Sequence, residues 1–163
     1  MSSLFGFKKK PVSLDLKAIA SGKMVPITQV PDEVFAQKMM GDGFAIEPTQ
    51  GTITAPADGE IKTLADTKHA VMMTTSDGLE LLLHLGLDTV ELDGKPFDAL
   101  IKIGDKVKAG TPLVTMDLEA IRAAGKKATV ITVVTNMDKV ANIEVNSTEN
   151  VTAMDTVVKI TLS

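Results

Sequence analysis

Cysteine, tryptophan and tyrosine are absent from this sequence of 163 residues, and histidine occurs only twice. The missing cysteines exclude a disulfide framework, a thiolate nucleophile and a cysteine-ligated zinc site. Aromatic residues make up 3% of the chain, so the stacking platforms of single-strand nucleic-acid binders are missing too. The net charge of −4 opposes nucleic-acid binding in general, which asks for a basic stripe or face. No apolar run approaches the roughly eighteen residues of a membrane-spanning helix. The start, MSSLFGFKKK, places its lysines after its apolar residues, the reverse of a secretory signal. A cytoplasmic protein that does not bind nucleic acid is the expectation.

What is present is a succession of short apolar segments punctuated by Gly, Pro, Asp and Asn, among them MVPITQV, GTITAPADGEIKTL, HAVMMTT, LELLLHLGL, TVITVVT and VVKITL. Many short strands at close spacing predict an all-β fold, an antiparallel β-sandwich or barrel-like arrangement, with a few short helices. One helix is predicted over PDEVFAQKMMG (31–41), from Pro and acids at its start and Gly41 at its end. A second is predicted over DLEAIRAAG (117–125), with Asp117 as N-cap and Gly125 as its stop. Residues 1–17 lack clear periodicity and read as a flexible leader, leaving 18–163 as one domain. In that leader Leu4, Phe5 and Phe7 precede Lys8, Lys9 and Lys10, a pattern suited to weak contact with an anionic membrane surface. APADGEIKTL followed by IGDKVKAGTPLVTMD has the outline of biotinyl and lipoyl carrier domains. The turn TMDLEA lacks the lysine those domains modify, so the architecture is kept and that function is not.

Both histidines fall in this β-rich middle. His84 interrupts the leucines of LELLLHLGLDTVEL (79–92). Strand alternation puts Leu79, Leu81, Leu83, Leu85 and Leu87 on a core face, and Glu80, Leu82, His84, Gly86 and Asp88 on the opposite, outward one. His69 reaches His84 only if the turn TTSDG sets the right register. A Ser76-Asp77 loop puts 69 opposite 84, and an Asp77-Gly78 loop puts it diagonal. A three-residue loop with a Gly78 bulge separates the two. Thr67, two residues before His69, would have its hydroxyl on the same side of an extended strand and hold one imidazole tautomer. Two imidazoles in a shallow patch suit an incomplete metal site, a base and helper in hydrolysis, or a histidine nucleophile with a hydrogen-bonding neighbour.

The motifs PDEVFAQKMMGDGFAIEPT (31–49), APADGEI (55–61), TKHAV (67–71), LLHLGLDTVEL (82–92) and TNMD (135–138) resemble the glucose-type IIA component of the bacterial phosphoenolpyruvate-dependent sugar phosphotransferase system. The resemblance covers essentially the whole domain. It implies an antiparallel β-sandwich and a phosphoryl carrier that takes phosphate from HPr on His84 Nε2 and gives it to a cysteine of a permease IIB domain. It also implies that His69, braced by Thr67, hydrogen-bonds the phosphoryl group. Val34, Phe35, Met39, Met40, Leu82 and Val90 would form the apolar docking patch, with Asp88 and Asp138 attracting basic partner residues. No cofactor is required under this reading, although a zinc ion shared by His69, His84 and a partner residue is compatible with it. Two other functions stand beside the carrier: a regulatory module that docks onto enzymes or transporters, and a zinc-dependent hydrolase, for which a third histidine ligand is missing.

Overall fold

The computed structural model describes residues 12–146 and 149–163. Along these residues run β1 (Ser13–Lys17), β2 (Gly22–Pro26), α1 (Glu33–Ala36), β3 (Asp42–Pro48), β4 (Thr52–Thr54), β5 (Gly59–Leu64), β6 (Ala70–Thr75) and β7 (Glu80–Leu87). There follow β8 (Phe97–Ala99), β9 (Lys106–Val107), β10 (Pro112–Met116), α2 (Leu118–Ala123), β11 (Lys127–Val134), β12 (Val140–Val145), β13 (Asn150–Val151) and β14 (Thr156–Leu162). The strands form an eight-stranded sheet in the order β13-β2-β3-β11-β7-β6-β5-β9 and two three-stranded sheets, β1-β14-β12 and β4-β10-β8. The ladders are antiparallel throughout. This is the all-β antiparallel architecture that the strand spacing predicts.

Sequence explains which strands sit in the middle. β7 and β11 are apolar on both faces, and all but the first residue of KATVITVV in β11 is buried. Such runs suit a strand covered on both sides. β6, at their flank, alternates half-buried and buried positions, with Val71, Met73 and Thr75 turned to the core. The main core gathers Phe44, Ile46, Ile53, Ile61, Leu79, Leu81, Leu83, Leu85, Leu113 and Ile160 from all three sheets. The leucine face of β7 thus anchors the centre of the large sheet, and its other face is left to carry His84.

Three expectations are corrected here. The leader ends earlier than residue 17: Ser13–Lys17 form β1, paired with β14, and Leu16 lies in the core. Two alternating apolar residues in SLDLK are too short a signal to see unpaired. The membrane-contact motif at residues 4–10 lies outside the described residues. The helix expected over 31–41 is a single turn, Glu33–Ala36, whose first turn Asp32 caps by accepting from the Val34 N–H at 3.0 Å. Only Phe35 of that turn is buried, and Lys38 is left-handed (φ 58°), so no apolar stripe pays the nucleation cost of a longer helix. The outward face of β7 is not open to water. Leu82 joins Ile27, Val30, Phe35, Ala45, Leu87, Ile131 and Val133 in a second, smaller core under residues 27–36. Leu87 belongs there because Gly86 is left-handed and the β7–β11 register shifts beside it. By contrast, the second helix forms as predicted, with Asp117 accepting from the Ala120 N–H at 3.0 Å.

Candidate functional site

His84 lies on the small-core side of the large sheet, between Ala70 of β6 and Ile131 of β11, its cross-strand partners. The Phe35 ring packs against it at a centroid distance of 5.0 Å, and the His69 ring stands edge-on at 5.3 Å with an interplanar angle of 82°. The rings meet although the loop is the one expected to part them. Ala70 opposes His84, Thr75 pairs with Leu79, and Ser76, Asp77 and left-handed Gly78 form a three-residue turn. In that register residue 69 would point with Leu85 into the core if β6 began there. It does not. His69 belongs to the β5–β6 turn, where Lys68 is left-handed (φ 60°) and the His69 carbonyl accepts from the Leu85 N–H at 2.7 Å. The turn swings the side chain onto the outer face, where strand alternation no longer applies.

Each ring has one defined hydrogen bond. The His84 Nδ1–H donates to the Gly86 carbonyl at 2.8 Å. A carbonyl oxygen only accepts, so the proton sits on Nδ1 and the Nε2 lone pair is free. His69 Nδ1 is 2.5 Å from Thr67 Oγ1, a contact made within the turn rather than along a strand. If the hydroxyl donates, neutral His69 keeps its proton on Nε2, which is then a donor. Burial lowers the proton affinity of both imidazoles from the usual 6.5. At His84 the Gly86 carbonyl opposes that desolvation, His69 adds to it, and the carboxylates of Asp32 and Asp88 oppose it. The site therefore holds two neutral imidazoles near neutrality.

The surroundings divide the residues singled out from sequence. Val34, Met39, Met40 and Val90 are exposed apolar side chains, at 41%, 68%, 41% and 49% respectively. Phe35 and Leu82 are buried beneath the site instead. Asp88, left-handed (φ 57°), is exposed just past β7. Asp138 is exposed in the turn Met137–Lys139 after β11, and the acids acting on His84 are Asp32 and Asp88. Asp32 was missed as a site residue because its capping role alone explains an acid there. Among the described residues no three His, Cys, Asp or Glu side chains converge on one point, so a zinc ion at His69 and His84 would need further ligands from a partner. No helix among the described residues is long and apolar enough to cross a membrane, which says nothing of membrane-spanning barrels.

The site thus joins a half-buried histidine whose Nδ1 is engaged by a backbone carbonyl to a second imidazole beside it. Residues 14–140 match the family model for the phosphoenolpyruvate-dependent sugar phosphotransferase system, EIIA 1, and the chain belongs to that family. It is thus a phosphotransferase component of sugar uptake. It is 44% identical over 163 residues to a glucose-specific EIIA component from Staphylococcus epidermidis, covering 98% of both chains. It is 46% identical over 153 residues to a glucose-specific EIICBA component from Streptococcus pneumoniae, covering 94% of this chain and 21% of that one. The chain therefore spans about a fifth of that relative's length. Among solved structures it is similar to the glucose permease IIA from Mycoplasma capricolum, with a TM-score of 0.83 and 36% identity over 91% of this chain and 96% of the other.

Proposed function

We propose that this chain is a cytoplasmic phosphoryl carrier of the glucose class. His84 Nε2 takes the phosphoryl group from phospho-HPr and delivers it to the cysteine of a permease IIB domain. The observation that carries the reading is the His84 Nδ1–H bond to the Gly86 carbonyl. It leaves the Nε2 lone pair for in-line attack on phosphorus as the donor's P–N bond breaks, and His84 need lose no proton in the step. Charge then develops on the phosphoryl oxygens. A His69 whose Nδ1 is engaged by Thr67 can donate from Nε2 to one of them, which is transition-state stabilisation by a fixed donor. Lowered proton affinity keeps His84 neutral and nucleophilic near neutral pH.

Docking follows from the surface. Val34, Met39, Met40 and Val90 are exposed apolar side chains, and adaptable methionine suits a face that receives more than one partner. Asp32 and Asp88 favour partners with basic residues at the point of contact. The same face would serve the regulatory docking of other proteins.

The test is incubation with phosphoenolpyruvate, enzyme I and HPr, followed by mapping of acid-labile phosphate. His84→Ala abolishes uptake while changing stability by only about 1 kcal/mol, since the ring is not part of the main core. His69→Gln still accepts phosphate but discharges to a IIB domain on the order of 100-fold more slowly, the scale for loss of one transition-state donor. Normal uptake by the His84→Ala protein would sink the assignment.

A further inference from the structure

The supports of both imidazoles are held by one irregular stretch of chain. Residues 88–94 include three left-handed backbones, Asp88 (φ 57°), Asp93 (φ 53°) and Gly94 (φ 78°). At the start of the stretch, Thr89 is fully buried and donates its hydroxyl to the Leu85 carbonyl at 2.6 Å. Its methyl lies so close to Gly86 that a Cβ at 86 would stand 2.4 Å from it. Gly86 carries the carbonyl that accepts from His84 Nδ1. At the end of the stretch, Gly94 lies against the Thr67 backbone, where a Cβ would sit 3.3 Å from the Thr67 oxygen and 3.5 Å from its Cα. Thr67 is the residue bonded to His69 Nδ1.

We propose that Thr89 and Gly94 are positioning residues for the two histidines, Thr89 acting on His84 through Gly86 and Gly94 acting on His69 through Thr67. The consequence for phosphoryl transfer rests on the carrier reading; the positioning does not. The need for such a device follows from Gly86 itself. A glycine in the left-handed region has little intrinsic preference to hold its peptide in one orientation. The His84 Nδ1–H bond lasts only while the Gly86 carbonyl faces the ring. Thr89 restrains Gly86 twice, by fixing the Leu85–Gly86 peptide through its hydroxyl's bond to the Leu85 carbonyl and by blocking movement of the Gly86 Cα with its methyl, which leaves the next peptide, the one that carries the Gly86 carbonyl, less room to turn. When the restraint is lost, His84 samples the tautomer protonated at Nε2, which has no lone pair there to attack phosphorus. Gly94 acts by what it lacks. A methyl group at 94 would press on the Thr67 backbone and displace its hydroxyl from the His69 ring, while leaving the Gly86 carbonyl where it is.

The test uses the full chain with ¹⁵N-labelled histidine. The ring nitrogen shifts report each tautomer, and uptake from phospho-HPr and discharge to a IIB domain are timed in parallel. Thr89→Val keeps the methyl and loses the hydroxyl. It is expected to lower the Nδ1–H population of His84 and slow uptake on the order of 10- to 100-fold, the scale of a misplaced reacting group, with the His69 shifts unchanged. Thr89→Ser restores the hydroxyl and returns both readouts toward wild type. Gly94→Ala moves the His69 shifts and slows discharge, while the His84 shifts stay in place. Should Thr89→Val fail to fold, Thr89→Ala removes the same hydroxyl without setting a methyl against the Leu85 carbonyl. Wild-type His84 shifts without the Thr89 hydroxyl, wild-type His69 shifts in Gly94→Ala, or equal disturbance of both rings in either variant would overturn the proposal. If the shifts respond as expected but wild-type His84 never takes up phosphate, the carrier reading fails and the positioning stands.

Discussion

Gly86→Ala should be far more damaging than its one added methyl suggests. The residue is left-handed (φ 82°), a conformation that costs any residue with a Cβ about 1–2 kcal/mol. The new methyl would lie 2.4 Å from Thr89 Cγ2 and 3.0 Å from the Lys127 carbonyl oxygen, where carbon contacts prefer about 3.5–4.0 Å. Neither neighbour can retreat cheaply. Lys127 contributes ladder backbone, and Thr89 is fully buried with its hydroxyl bonded to the Leu85 carbonyl. Overpacking of this kind adds about 1–3 kcal/mol, for a total of roughly 2–5 kcal/mol. Urea unfolding reads this directly, since a slope of about 1–3 kcal/mol/M converts the loss into a midpoint lowered by about 1–2 M or more. Gly78→Ala is the control. Gly78 is also left-handed (φ 92°) but nothing lies within 4 Å of its added Cβ, so only the strain remains. If the two variants lose the same stability, the argument from close approach at Gly86 is wrong.

Thr132 should reward a substitution. Its hydroxyl is buried between β3 and β7 with no hydrogen-bond partner among the described residues, so Thr132→Val should raise stability by about 1–2 kcal/mol in the same urea titration; a loss would show that the hydroxyl is satisfied. Met39→Asp combined with Met40→Asp should weaken HPr binding at least tenfold by calorimetric titration, because it places charge in a contact that must desolvate. Unchanged affinity would move the docking face elsewhere. Acid should act on stability and function differently. Both histidines have proton affinities lowered from 6.5, chiefly by burial, so the unfolded chain binds protons that the native one does not. Stability therefore falls as pH drops through 6.5 toward the lowered native values. Uptake at His84 should keep more than half of its full rate at pH 6.5, where an ordinary imidazole is half protonated. A rate already halved there would refute the lowered affinity.

How much of this was legible in the sequence depends on how far each local rule reaches. Alternation in LELLLHLGL correctly assigned the leucine face of β7 to the core, because residues 79–85 follow regular strand geometry. The same rule failed at Leu87, two residues later, because Gly86 turns left-handed and shifts the register against β11. It also failed at Leu82, which alternation can call outward but cannot call uncovered. Whether a second layer exists depends on residues 27–36 folding back from another part of the chain.

The histidine pair shows the same limit in a sharper form. Every register considered from the sequence treated residue 69 as part of a strand, and under that premise a three-residue turn at 76–78 parts the rings. The turn has three residues, yet the rings stand 5.3 Å apart. The premise was at fault, because a lysine at φ 60° begins the return from the β5–β6 turn. Lysine carries no signature for that conformation, which asparagine or glycine would have given. Strand register places His84, the left-handed backbone at Lys68 brings His69 to it, and left-handed Gly86 supplies the carbonyl that His84 Nδ1 bonds. The site stands where the ladder rules stop applying on both of its strands, and its geometry depends on the turns that flank it. That dependence is the ground for assigning the positioning of His84 to a buried threonine, Thr89, acting through the Gly86 carbonyl, and that of His69 to Gly94, acting through Thr67.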